Sequence, residues 1–202
     1  MTKAMKKEIR FWVIISTIFL SLYLSGLHTE VAGFAQRVIL STGLIAPESD
    51  VNYTDNNKGD YNFNLKNIDG STISFSELKG KVVFMNIWAT WCAPCIAEMP
   101  NIQKLYDKMD TSKVAFVMLS TDQSEDKVGK FINRKGFTFP VYLAASNVPS
   151  EFKVPSIPTT FVFSKEGKIV SKNVGMANYD KKSFIKFLNE LIEERAAQSS
   201  NK

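Results

Sequence analysis

The stretch Val82-Val83-Phe84-Met85-Asn86-Ile87-Trp88 is apolar at every position but Asn86, and its β-branched and aromatic residues mark a strand covered on both faces. Such a strand sits inside a sheet with packing layers above and below it. Three residues further on comes Trp91-Cys92-Ala93-Pro94-Cys95, which holds the only two cysteines of the chain. A central strand that runs straight into a cysteine pair constrains both fold and chemistry.

Around this strand the pattern alternates. Residues 61–65 have period two, Asn67-Ile68-Asp69-Gly70 reads as a turn, and residues 72–75 alternate again, which predicts a hairpin. Ser76-Glu77-Leu78-Lys79-Gly80 reads as a short helical turn stopped by glycine. A helix is predicted from the cysteines to about Met109, interrupted in its pattern by Pro100, and a second buried strand over 114–119. Ser124 can cap a helix reaching Lys135, with Val128, Phe131 and Ile132 on one face. Residues 139–143, 159–163 and 169–174 read as strands, with a turn at Lys165-Glu166-Gly167-Lys168. Asp180 can cap a last helix to about Arg195, with Phe184, Phe187, Leu188 and Leu191 inside and a frayed tail over 196–202. This order predicts an α/β sheet covered by helices. A chain of 202 residues, 45% of them hydrophobic, suffices for one such domain, placed at 60–195.

The N-terminal part has a different character. From Phe11 to Leu27 (FWVIISTIFLSLYLSGL) no side chain is charged, and seventeen residues fall within the roughly 17–25 of a spanning helix. Trp12 and Tyr23 stand towards its ends, where amphipathic rings favour the membrane interface, and Lys3, Lys6, Lys7 and Arg10 precede it. A retained transmembrane anchor with a cytoplasmic N-terminus is the expected reading, which puts the domain outside the cytoplasm. The competing reading is a signal peptide cleaved near Gly33-Phe34-Ala35, which exports the domain equally. Residues 1–45 thus read as basic tail, anchor and helical stalk, and 46–59, polar and rich in Asn and Asp, as a linker. The formal charge is +5, of which residues 1–10 supply a net +3 and the chain after residue 45 only +2. No basic footprint for nucleic acid results.

The cysteine pair can be weighed by chemistry. A structural zinc site needs four ligands in most cases, while the chain has two Cys and a single His, His28. A c-type haem attachment needs His directly after the second Cys, where Ile96 stands. A staple across two residues closes too small a loop to stabilise much. The redox role remains. Cys92 falls where strand gives way to helix, so backbone N–H groups and the helix dipole favour its thiolate, the attacking form in disulfide exchange. Cys95 lies nearly one helical turn later, placed to resolve a mixed disulfide.

Cys92, Cys95, Glu98 and Pro100, spaced Cys-x-x-Cys-x-x-Glu-x-Pro, resemble the thioredoxin superfamily and, more narrowly, its TlpA-like or ResA-like membrane-tethered thiol-disulfide oxidoreductases. Asp69-Gly70, Leu78-Lys79-Gly80-Lys81 and Ile157-Pro158-Thr159 extend the resemblance over about residues 60–195. It implies a thioredoxin-like fold with a central mixed sheet, helices flanking it and an N-terminal hairpin. It also implies a redox disulfide between Cys92 and Cys95, a cis Pro158 facing them, and Ile157 pairing by backbone with the substrate. Trp91, Ala93 and Pro94 would shape the substrate-binding rim, and no cofactor or metal is expected.

Thioredoxin's buried Asp, six residues before its first cysteine, is replaced here by Asn86, which cannot exchange a proton. Glu98 is the candidate for that acid–base role, partly buried near the thiols; otherwise it is a solvated glutamate that merely suits the helix dipole. The resemblance implies two partners: exported client proteins with cysteine pairs, such as apocytochromes awaiting haem, and a membrane thiol-transferring electron donor. Reduction of exported disulfides is the favoured direction; oxidation or isomerisation with the same cysteines is the alternative. A peroxide-reducing redoxin is a lesser one, because Ala89 stands where the peroxiredoxin pattern has Thr. Proteins of the DsbA kind carry a large helical insertion and typically a His between the cysteines, where this chain has Ala93-Pro94.

Overall fold

The computed structural model describes residues 3–25 and 59–199. Helix α1 (Lys3–Leu24) carries the basic cluster at its N-terminal end, and its described side chains are exposed. Among the described residues no helix is long and apolar enough to cross a membrane. Gly26 and Leu27, which complete the apolar segment, lie outside the described residues, as do the expected stalk, residues 46–58 of the linker and residues 200–202.

β1 (Asn64–Asn67) and β2 (Thr72–Ser74) form the predicted hairpin, with Leu65 opposite Ile73. The Asp69 carboxylate closes its turn by accepting from both the N–H and the hydroxyl of Ser71. The first strand starts later than the period-two pattern suggests. Tyr61 and Phe63 are buried outside the ladder, each with its ring centroid 4.6 Å from that of Phe75. Phe63 O still accepts from Phe75 N at 2.9 Å, one step beyond the ladder, and aromatic packing buries both rings. Phe75 opens a 3-10 turn (Phe75–Leu78), capped reciprocally by Ser74 and Glu77.

The remaining elements are β3 (Val82–Trp88), α2 (Ala93–Lys108), β4 (Val114–Ser120), α3 (Glu125–Lys135), β5 (Val141–Ala144), β6 (Thr159–Phe163), β7 (Ile169–Val174) and α4 (Lys182–Ser199). The seven strands form one mixed sheet in the order β2-β1-β5-β4-β3-β6-β7. β3, β4 and β5 run parallel, whereas β6 is antiparallel to β3 and β7 to β6. β3 lies between β4 and β6 and is buried at all seven positions, as its composition predicts.

The pleat divides β3 between two cores. Val82, Phe84 and Trp88 face a layer that includes Ile96, Met99, Ile102 and Leu105 of α2, Phe131 of α3 and Leu188 of α4. Val83, Met85 and Ile87 face Tyr61, Phe63, Phe75 and Phe152 instead. Helices α2, α3 and α4 therefore pack on one face, and aromatic side chains from the segment before β1 and from two 3-10 turns, Phe75–Leu78 and Ser150–Phe152, pack on the other. The successive parallel steps β3 to β4 to β5 move one way across the sheet, and right-handed crossovers then place α2 and α3 on the same side.

Three local expectations change. β5 begins at Val141, after Pro140, not at Phe139. Asp180 does not cap α4, which starts at Lys182; its carboxylate instead pairs with Lys108 at the end of α2. α4 itself continues past Arg195 to Ser199. Ser124 caps α3 as expected, accepting from Lys127 N at 3.3 Å, and Gly136 ends it with φ +69°.

Candidate active site

β3 ends at Trp88, and the chain turns through Ala89, Thr90 and Trp91 before Cys92 caps α2. Cys92 has an extended backbone, and its Sγ accepts from Cys95 N at 3.3 Å. The sulfur thus sits on the first-turn N–H groups of the helix, where a thiolate is stabilised. Pro94 occupies the first turn, where its missing N–H costs no helical bond. The two cysteines are joined in a disulfide. Cys95 is wholly buried and Cys92 is 5% exposed, while Trp91 is 58% exposed beside them. Of the pair, only Cys92 touches solvent.

The Ile157–Pro158 peptide bond is cis. Ile157 O lies 3.7 Å from Cys92 Sγ, so the loop before β6 stands against the outer cysteine. The resemblance anticipated this juxtaposition across a separation of 65 residues. A cleft of about 520 Å³ opens next to it, with Trp91, Ile157, Ile87, Leu119, Phe152 and Val154 among its lining residues.

Glu98, on α2 one turn after Cys95, is fully buried, against the partly buried or solvated position expected of it. Its two oxygens are both occupied: Asn86 Nδ2 donates to Oε1 at 2.8 Å and Ala177 N to Oε2 at 3.0 Å. Burial pushes the Glu98 carboxyl up from 4.5 to about 8, outweighing those two donors, which pull the other way. Asn86 shares the helix-covered face of β3 with Phe84 and Trp88, which is why it meets α2. Its Nδ2 also donates to Thr160 Oγ1 at 2.9 Å, and Tyr179 OH donates to that same hydroxyl at 2.7 Å. Burial, followed by the charge of Glu98, raises the Tyr179 phenol well above its ordinary value.

Asn86 was legible as the replacement for a missing acid, but not as the group that holds the new one. Thr160, Ala177 and Tyr179 carried no signal in the sequence, because they reach Glu98 and Asn86 only through the sheet order. The described residues contain no cluster of His, Cys, Asp and Glu suited to a metal ion.

Residues 60–172 match the model of the AhpC/TSA family. The chain belongs to that family. Among its relatives, the thiol-disulfide oxidoreductase ResA of Bacillus subtilis (strain 168) is 32% identical over 172 residues, covering 85% of this chain and 88% of that protein. The ResA of Bacillus anthracis is 36% identical over 115 residues, which is 56% of this chain and 66% of the relative. Among solved structures, StoA from Bacillus subtilis superposes with a TM-score of 0.51 at 28% identity, covering 61% of this chain and 95% of StoA. Within the family the chain therefore stands with the thiol-disulfide oxidoreductases of the ResA type, and its fold is thioredoxin-like.

Proposed function

We propose that this chain is a membrane-anchored, extracytoplasmic reductase of disulfides in exported proteins, working through Cys92 and Cys95. The Cys92 thiolate attacks one sulfur of a client disulfide, the client S–S bond breaks, and the other client sulfur leaves as a thiolate that takes up a proton. Glu98 in its ionised form takes the proton of Cys95, which attacks the Cys92 sulfur; the Cys92–Cys95 disulfide forms, the client's second cysteine leaves as a thiolate, and Glu98 passes the proton on to it. Two electrons have then passed to the client, and a membrane thiol donor restores them by the same exchange in reverse.

The observation that carries the exchange chemistry is a disulfide at the N-terminus of α2 with Cys92 against the Ile157 carbonyl and a buried, near-neutral carboxyl one turn behind Cys95. Trp91, Ala93, Pro94 and Ile157 form the client-facing rim, and the adjoining cleft offers apolar room for a client side chain. Anchoring is supported by the uncharged run from Phe11 to Leu27 behind the basic cluster, part of which is helical in α1. Reduction and a role in cytochrome c maturation are supported by the resemblance to the tethered reductases.

The test is the equilibrium reduction potential of the full-length protein against a dithiothreitol couple. A value near the roughly −270 mV of thioredoxin agrees with a reductant, and one near the roughly −120 mV of DsbA makes the chain an oxidant using the same residues. Cys92→Ser should abolish exchange, whereas Cys95→Ser should accumulate mixed disulfides with clients. An active Cys92→Ser variant would refute the mechanism.

A further inference from the structure

Asp122 follows β4 by two positions, and its side chain is 3% exposed, yet nothing in the exchange chemistry uses it. Its carboxylate accepts three hydrogen bonds and makes one ion pair. Thr90 N donates to Oδ2 at 2.7 Å and Thr90 Oγ1 to Oδ1 at 2.8 Å, a two-pronged grip on one residue. Ser120 Oγ donates to Oδ2 at 2.9 Å, and Lys127 Nζ of α3 lies 3.6 Å from Oδ1. One residue earlier, Thr121 N donates to Trp88 O at 2.9 Å. The end of β4 thus holds the chain from Trp88 to Thr90, the whole turn between β3 and the Trp91-Cys92 corner.

We propose that Asp122 is a positioning residue for the redox step: by fixing Thr90 it sets where Cys92 meets the Ile157 carbonyl and an incoming disulfide. The reason is geometric. Thr90 is two residues from Cys92, and its backbone N–H cannot enter the β3 ladder, which has already ended at Trp88. Without the carboxylate, a nearly buried N–H and hydroxyl would both lack an acceptor, and the turn would have to move to find water. The shape of that turn decides where Trp91 projects and how Cys92 enters the helix. This inference rests on Cys92 being the attacking thiol.

The experiment measures mixed-disulfide formation by the full-length protein in the Cys95→Ser background, in single turnover with an oxidised peptide disulfide. Cys92 attacks, the peptide S–S bond breaks, and one peptide thiolate is released and counted. Asp122→Asn keeps the shape but turns one N–H group towards the Thr90 donors, and the rate constant should fall tenfold or more. Thr90→Val, which keeps the backbone N–H bond, should cost less, and the Thr90→Val/Asp122→Asn pair should be no slower than Asp122→Asn alone. Thr90→Ser, which keeps the hydroxyl, should restore the wild-type rate.

A purely structural Asp122 predicts otherwise: a lower melting temperature with an unchanged rate constant in the folded protein, or losses from Thr90 and Asp122 that simply add. Either result overturns the inference. Should Asp122→Asn fail to fold, the Thr90→Val and Thr90→Ser comparison decides alone, and equal rates for those two refute it. Attack by a Cys92→Ser variant that retains Cys95 would refute the reading of Cys92 as the attacking thiol, and the inference with it.

Discussion

Glu98→Gln in the oxidised protein offers a direct measure of what burying this carboxyl costs. Folded, the group titrates near 8; in the unfolded chain it returns to about 4.5. Below pH 4.5 both states are protonated and the group contributes no pH dependence. Between the two values the unfolded chain is ionised while the folded protein keeps its proton, so unfolding releases a proton. Stability then falls by about 1.4 kcal/mol per pH unit as pH rises, and on the order of 5 kcal/mol is lost by about pH 8. Against a typical stability of about 5–15 kcal/mol, such a loss is easily visible. The chain has a single histidine, His28, and disulfide-bonded cysteines do not titrate.

The glutamine variant is neutral at every pH. Asn86 Oδ1 is buried without a partner among the described residues, so rotating that amide lets it accept from Gln at 98 while the Gln oxygen keeps the bond from Ala177 N. The cost at pH 5 should therefore be held to about one hydrogen bond, roughly 1 kcal/mol. Urea unfolding of the oxidised full-length protein from pH 5 to 8.5, followed by tryptophan fluorescence, should show a falling curve for the wild type and a flat one for the variant. Two parallel curves would show that Glu98 ionises freely in the fold, and the acid–base role built on its burial would go with it.

Further outcomes test other parts of the structure. Glu98→Gln should also remove the limb of the turnover pH profile near 8 while leaving the disulfide able to form; an unmoved profile takes Glu98 out of the reaction. Phe75→Ala, at a fully buried ring packed on Tyr61, Phe63 and Phe163, should destabilise by about 3–5 kcal/mol in denaturant titration. Trp91→Ala, at a largely exposed ring, should leave stability within about 0.5 kcal/mol yet lower kcat/KM for a protein disulfide more than for a small one. Ser124→Ala should cost about 1 kcal/mol through loss of the α3 cap, with no effect on exchange.

What the sequence disclosed follows the range of the interactions involved. β3, β6 and β7 were legible to within a residue because composition and alternation are local consequences of burial. The cysteine pair and the helix after it are one contiguous motif. The failures are non-local. Tyr61 and Phe63 alternate like a strand, but they precede β1 and are buried by the rings of Phe75 and Phe163, which lie far along the chain. Asp180 has the residue type of a cap, but Lys108, 72 positions away, takes its carboxylate. Asn86 and Glu98 lie 12 residues apart, and their contact follows only once the strand face and the helix register are both known. Asp122 resembles any polar residue in a loop until β4 is placed beside β3.

The exchange of a strand aspartate for Asn86 and the burial of Glu98 form one arrangement. Two carboxyls facing each other in this core would repel when ionised and would have to share a proton. An amide in the strand removes that conflict and supplies an N–H donor to the remaining carboxyl, which relieves part of its burial. The Glu98 value near 8 then lies close to the roughly 8.5 of an ordinary thiol. A carboxyl that titrates near 8 can both take and return a proton close to neutral pH, the condition under which an acid–base group serves both directions of a reversible exchange. Direction must then come from the relative stability of the Cys92–Cys95 disulfide and its dithiol form, not from Glu98. Glu98→Gln should accordingly slow reduction and reoxidation by similar factors and leave their ratio, and hence the reduction potential measured at pH 7, within about 10 mV of the wild type, because at that pH the carboxyl is already mostly protonated. A shift of 30 mV or more, equivalent to about 1.4 kcal/mol, would show that Glu98 stabilises one redox form over the other.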